Sequence, residues 1–430
     1  MRILRYIGAL GGLLWVAACN LDQTNPNAPT GQTVLHTREG IVALAVGLQA
    51  RYGSGMSMFI APAGTIADEI GAPAGSQQSW KDAEQGVLED TYQPVTDPWS
   101  THYATVKSAN DLLANARNVD LGDSTLSGVM SLAYLMKAMS LGDLLQLYQK
   151  IPVTTYNVPD PVFVDRTVAL DTVLALLDSS LTWYDAGPPG SEFNGSILAR
   201  GFSLRNTIFA MMARYERLAG NWSAAMAASD SVSRTVVSVE PFSQTVFNPM
   251  YDLTYRAAYV EPRDSFRLSA DAGDQRVPYF VLNDSSLAGN IHALDKYAVW
   301  SSAASPIAVY YPGEMQLIKA EGLAEANDLT GALAEVDSVR TKCAASFPGQ
   351  PDACLPAYPG VFTSQAAALA EIYKQRRFEL YSSGLRWEDL RRLGQVGPNQ
   401  PAKRCWLIYP FTEKTTNPNT PADAAATGSC

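Results

Sequence analysis

The chain has 430 residues, 47% of them hydrophobic and 17% charged, with a formal net charge of −10. That length and composition support a large buried core and argue against disorder. The acidic balance excludes a protein built to follow a phosphate backbone, so nucleic acid is not an expected partner; low charge density with 20 Tyr and 8 Trp suits a neutral ligand or a protein surface.

In chain order, Arg2 and Arg5 precede an apolar run from Ile7 to Ala17. The run is well short of the ~20 residues that cross a bilayer, and residues 1–18 read as a secretory signal peptide. Val16-Ala17-Ala18 followed directly by Cys19 resembles a bacterial lipobox. That resemblance implies cleavage before Cys19, acylation of its thiol and a lasting membrane anchor. Residues 19–35 are rich in Asn, Pro, Thr and Gln, lack periodicity, and read as a polar tether. Residues 36–430 are expected to form a single domain.

Helical periodicity dominates that domain. Ile41, Leu44, Ala45 and Leu48 fall on one helical face, with Thr37 placed to cap it. Tyr103, Val106, Asn110 and Leu113 recur at helical steps, and the segment from Ser127 to Tyr148 is apolar nearly all round, as in a buried helix. Further helices are predicted over Thr167 to Trp183, Leu204 to Leu218, Trp222 to Arg234, Gly313 to Ala326, Thr330 to Lys342, Gln365 to Tyr381 and Arg386 to Leu393. Loops are expected from Ala61 to Asp97, Ile151 to Asp165, Glu240 to Tyr311 and after Gly394, where Gly, Pro, Asn and Ser concentrate.

Two segments repeat at a fixed offset. Ala213 recurs as Ala320, Ala225 as Ala332, and Asp230-Ser231-Val232 as Asp337-Ser338-Val339. Each copy reads helix, short turn, Ala-rich helix, the pattern of a tetratricopeptide hairpin. No steady period of about 34 residues runs through the chain. The expected architecture is therefore all-α: a scaffold of helix pairs, mainly over 99–235 and 312–394, with loop-rich parts 61–98, 240–311 and 395–430.

With Cys19 reserved for lipid, four cysteines remain. An even remainder in an exported chain suggests two disulfides; proximity favours Cys343–Cys354 and Cys405–Cys430 among three connectivities, free buried thiols being the alternative. No catalytic set is visible. The three histidines, His36, His102 and His292, form no metal-ligand motif, and there is no nucleophile elbow or phosphate loop. Neither a metal nor a cofactor is expected.

The stretch Ile372 to Gly394 narrows the class. Arg376, Arg377, Glu379 and Leu380, then Gly384, then Arg386, Trp387, Asp389, Leu390, Arg391 and Arg392 resemble the closing signature of the SusD/RagB family of surface nutrient-binding lipoproteins. Glu314 to Arg340, Tyr409 to Asn419 and the segment after Cys19 are similar to other parts of that family. One departure is Lys374-Gln375 where the family commonly has Glu-Arg. The resemblance implies a SusD-like fold and a lipid-anchored protein on the outer membrane, facing the exterior. It also implies capture of an oligomeric nutrient, a glycan in preference to a peptide, and its transfer to a SusC-like TonB-dependent barrel without chemistry. A secreted all-α glycan-cleaving enzyme and a tetratricopeptide adaptor are the alternatives.

The signature's interleaved acids and arginines read as a structural ion-pair network rather than an anion site, with Trp387 packed beside it. Sugars are held by aromatic faces and planar polar side chains, and the family places ligand-contacting aromatics in two loop regions. Here those regions carry Trp80, with Gln78 and Asp82 beside it, and the pair Tyr297 and Trp300. These are the candidate ligand contacts, while Trp99 and Trp222 are assigned to the scaffold.

Overall fold

The structure, a computed structural model, describes residues 35–283, 295–343, 349–428 and 430. The expected signal peptide, Cys19 and all but the last residue of the expected tether lie outside them. Helices carry most of the described residues, and strands occur only as short two-stranded antiparallel ribbons. The all-α expectation holds.

Helix α1 (Arg38–Ile66) opens on Thr37, whose hydroxyl accepts from the Gly40 amide at 3.1 Å. Its first half buries Ile41, Ala45, Leu48 and Tyr52; beyond Tyr52 nearly every residue is buried. This corrects the expected loop from Ala61. The helix continues through Pro62 because packing on all sides outweighs one missing hydrogen bond. The same loop also contains α2 (Gln78–Glu84) and the start of α3 (Gln93–Asn115), where Pro94 in the first turn presets the backbone.

Helix α4 (Asp123–Leu147) is buried on almost every side, as its sequence indicated, and packs against α3 and α5 (Arg166–Ala186). The repeat then appears as two hairpins. The first is α6 (Leu204–Ala219) with α7 (Trp222–Asp230), and the second is α8 (Pro312–Glu325) with α9 (Leu329–Arg340). Equivalent turn residues, Gly220 (φ 77°) and Asn327 (φ 61°), both take the left-handed conformation that reverses the chain. Helix α7 packs on α8, where Gly322 leaves room for the Met226 side chain. Helices α10 (Gln365–Glu379) and α11 (Arg386–Arg392) complete the scaffold.

The ribbons tie remote segments together. Ile70–Gly71 pairs with Glu261–Pro262, Ser238–Glu240 with Ile307–Tyr310, and Val281–Asn283 with Asp295–Tyr297. One large apolar core runs beneath the helices, with a smaller cluster around Ala324, Val336 and Ile372. The pairs Cys343–Cys354 and Cys405–Cys430 are both disulfides.

Candidate ligand-binding site

The sequence places Trp80, Tyr297 and Trp300 on loops, free to stack on a ligand. The structure places all three in the core, at 0%, 0% and 4% exposure. Trp80 shares the inner face of α2 with Ala83. Tyr297 is in a strand paired with Val281, and its hydroxyl accepts from Ser382 Oγ at 3.1 Å. The Trp300 ring packs on Tyr297 with centroids 4.6 Å apart. A short helix and a short ribbon each turn one face inward, and the large apolar side chain takes that face.

The polar members of the candidate set face outward. Gln78 is exposed and donates to Asp82 Oδ1 at 2.7 Å, while Tyr92 donates its hydroxyl to Asp82 Oδ2 at 2.8 Å. That bond, with burial and the negative charge of Asp82, pushes the Tyr92 hydroxyl up to about 12. At the other end of α2, Gln77 donates to the Tyr259 hydroxyl at 2.7 Å. The aromatic rings flanking this face are therefore Tyr92 and Tyr259, both half-buried. Neither carries a sequence signal: each belongs to a different segment, and only the fold brings them to α2.

Beside α2 lies a cleft of about 330 Å³ lined by Asp68, Glu84, Glu261, Arg263 and Asp264. Arg263 is its centre. One Nη reaches Asp68 Oδ1 at 2.9 Å and Glu84 Oε1 at 2.6 Å, while its Nε is buried without a partner. Asp68 sits just past the end of α1 with φ 60°, a left-handed position that Asp tolerates better than most residues. A guanidinium with a spare donor, surrounded by carboxylates, can exchange hydrogen bonds with a polyhydroxylated ligand.

The signature helices behave as the sequence indicated. Arg376 donates to Asp389 at 2.8 Å, and Arg217 of α6 joins Asp389 at 2.8 Å to Glu321 at 2.5 Å. Burial alone would raise Asp389, but Arg376 and Arg217 overcome it and hold the carboxyl down at about 2. Glu379 pairs with Lys342 at 2.5 Å, and Glu388 with Arg166 at 2.8 Å. Trp387 is core, its indole N–H donating to the Arg404 carbonyl at 2.7 Å.

Comparison with known proteins agrees with these features. Residues 301–427 match the sequence model of the SusD family. A SusD-like carbohydrate-binding protein from Bacteroides vulgatus superposes with a TM-score of 0.69 at 13% identity, over 88% of this chain and 96% of its own. A second such protein, from Bacteroides fragilis, gives 0.68 at 15% identity, over 90% and 100%. A laminarin-binding SusD-like protein gives 0.65 at 16% identity, over 89% and 99%. Compared by sequence with curated proteins, the chain has no significant match. The fold is thus the one that these SusD-like structures share, and the SusD/RagB resemblance of the closing helices is borne out.

Proposed function

We propose that this chain is a carbohydrate-binding protein that captures an oligosaccharide at the outer surface of the outer membrane and passes it to a SusC-like TonB-dependent barrel. The observation that carries the reading is the SusD family match over residues 301–427 on a fold shared with SusD-like proteins described as carbohydrate-binding. The ligand face is the outer side of α2, with Gln78 and Asp82, together with the Arg263 cleft. Trp80 supports the α2 face from beneath, and Tyr297, with Trp300 packed on it, lies in the strand beside Glu261–Pro262 at the cleft. The protein binds its cargo and leaves it intact. Lipid on Cys19 holds it at the membrane; among the described residues no helix is long and apolar enough to cross one.

Calorimetric titration with neutral oligosaccharides, laminarin among them, and with peptides tests the cargo. An oligosaccharide should bind, and Asp82→Ala should weaken it several-fold with little change in melting temperature. Binding of peptides alone, or glycan binding indifferent to Asp82→Ala and Arg263→Gln, refutes the assigned face or cargo. For the anchor, Cys19→Ala should move the protein from the membrane fraction to the soluble one; unchanged fractionation counts against it.

A further inference from the structure

Two arginines of the closing signature stand outside its ion-pair network. Arg377 donates to the Ser265 carbonyl at 3.2 Å, and Arg386 Nε is buried with no partner. Both line a cavity of about 740 Å³ against α10 and α11, which is larger than the α2 cleft; Glu69 lines it, next in sequence to Asp68 of that cleft. The other cations lining it are already matched: Lys374 by Asp271 at 2.6 Å, Arg376 by Asp389 at 2.8 Å, and Arg392 by Glu321 at 3.0 Å.

The carboxylate whose charge both unmatched arginines feel is Glu69. It is 2% exposed, and its carboxylate has no side-chain hydrogen-bond partner, while the Ser382 backbone amide lies close enough to favour its charged form. Burial pushes its carboxyl up to about 7 against the pull of Arg386 and Arg377. Arg377 in turn is held below its ordinary value, first by burial and then by the like charge of Arg386. Among the residues lining the cavity, Lys374, Arg376, Arg377, Arg386 and Arg392 face the acids Glu69, Glu325 and Asp389, so cations outnumber acids there in a protein whose net charge is −10. Leu369 and Leu393 add apolar surface to the cavity lining.

We propose that this cavity binds a carboxylate-bearing ligand, such as an acidic oligosaccharide, with its carboxylate received by Arg377 and Arg386 and its ring against Leu369 and Leu393. Planar guanidinium forks match a carboxylate in two-point geometry, and low solvent access strengthens the pairing. A buried guanidinium N–H left without a partner, as at Arg386 Nε, is the kind of deficit that a ligand carboxylate makes good. The site goes beyond the neutral-glycan face at α2 and stands or falls independently of it.

The test is calorimetric titration of the purified protein with an oligogalacturonate, a neutral oligosaccharide of the same length and a glutamyl peptide. The oligogalacturonate should bind, weaken with added salt, and lose about tenfold or more in affinity in Arg386→Gln. Ala370→Trp, on the exposed face of α10 at the cavity wall, should block binding without touching a charge, which covers the case that Arg386→Gln does not fold. Binding of the glutamyl peptide instead, abolished by the same two variants, keeps the carboxylate site and makes a peptide the source. No binding of either acidic probe, or binding unchanged in both variants, overturns the proposal. Failure of the neutral sugar alone bears only on the α2 face.

Discussion

Trp80 and Trp387 show how differently two tryptophans of one chain can be understood from sequence. Trp387 sits among charges at helical spacing, so its inward direction follows from its neighbours, and the structure places it in the core. Trp80 sits in a segment punctuated by Gly, Pro and Ser, which conceals a helix of only seven residues. Too few turns exist there for a period to register, so the inward side of α2 could not be read. The polar residues Gln78 and Asp82 were legible as surface groups; Tyr92, Tyr259 and Arg263 were not, since they reach α2 only through the fold. Trp80→Ala should cost about 3–5 kcal/mol of stability, as for other large aromatics removed from cores, and chemical denaturation measures it. A variant that unfolds at the wild-type midpoint would contradict its buried placement. Gly313→Ala should also destabilise, by about 1–3 kcal/mol, because a Cβ there would overlap the Glu379 carboxylate, which the buried ion pairs hold in place.

At the scale of elements, the long helices and the repeated hairpin were legible because many turns state the same period. The end of α1 was not, since uniform burial erases the polar side that marks a surface helix and Pro62 reads as a stop. The ribbons were also invisible, because Ile70 pairs with Pro262 and Val281 with Tyr297 across intervals that no local pattern spans. The disulfides show the opposite case, in which proximity in sequence was sufficient. Cys405–Cys430 ties down the tail, whose Cys405 amide also donates to the Ala426 carbonyl at 2.9 Å. Removing either bridge by paired Cys→Ser substitution should lower stability by about 2–4 kcal/mol in an unfolding titration. Peptide mapping without reduction should recover the two linked pairs; four alkylatable thiols would disprove them.

The whole molecule carries buried acids whose ionisation makes stability depend on pH. Burial pushes the Glu240 carboxyl up to about 8, against about 4.3 in an unfolded chain. Between those values the folded state keeps a proton that the unfolded state has released, so stability falls as pH rises from about 4 to 8 and then levels. Glu69 and Asp143, each raised by burial to about 7, act in the same sense. His102, lowered by burial to about 3, acts in the opposite sense between there and about 6.5. Glu240→Gln isolates one contribution: wild type should lose more stability than the variant between pH 5 and pH 8, measured as urea midpoints. Equal losses would place the Glu240 carboxyl in water.

The contacts that close the fold also order events in time. Arg217 finds Asp389 172 residues later, the Tyr381 hydroxyl donates to the Glu69 carbonyl across 312 residues, and the Trp99 indole donates to Glu413 across 314. Until the last of the chain has emerged from the ribosome, Arg217 has no Asp389 and Trp99 no Glu413. The native core therefore cannot seal during synthesis, and the nascent chain stays a substrate for any machinery that handles unfolded polypeptide until its final residues arrive.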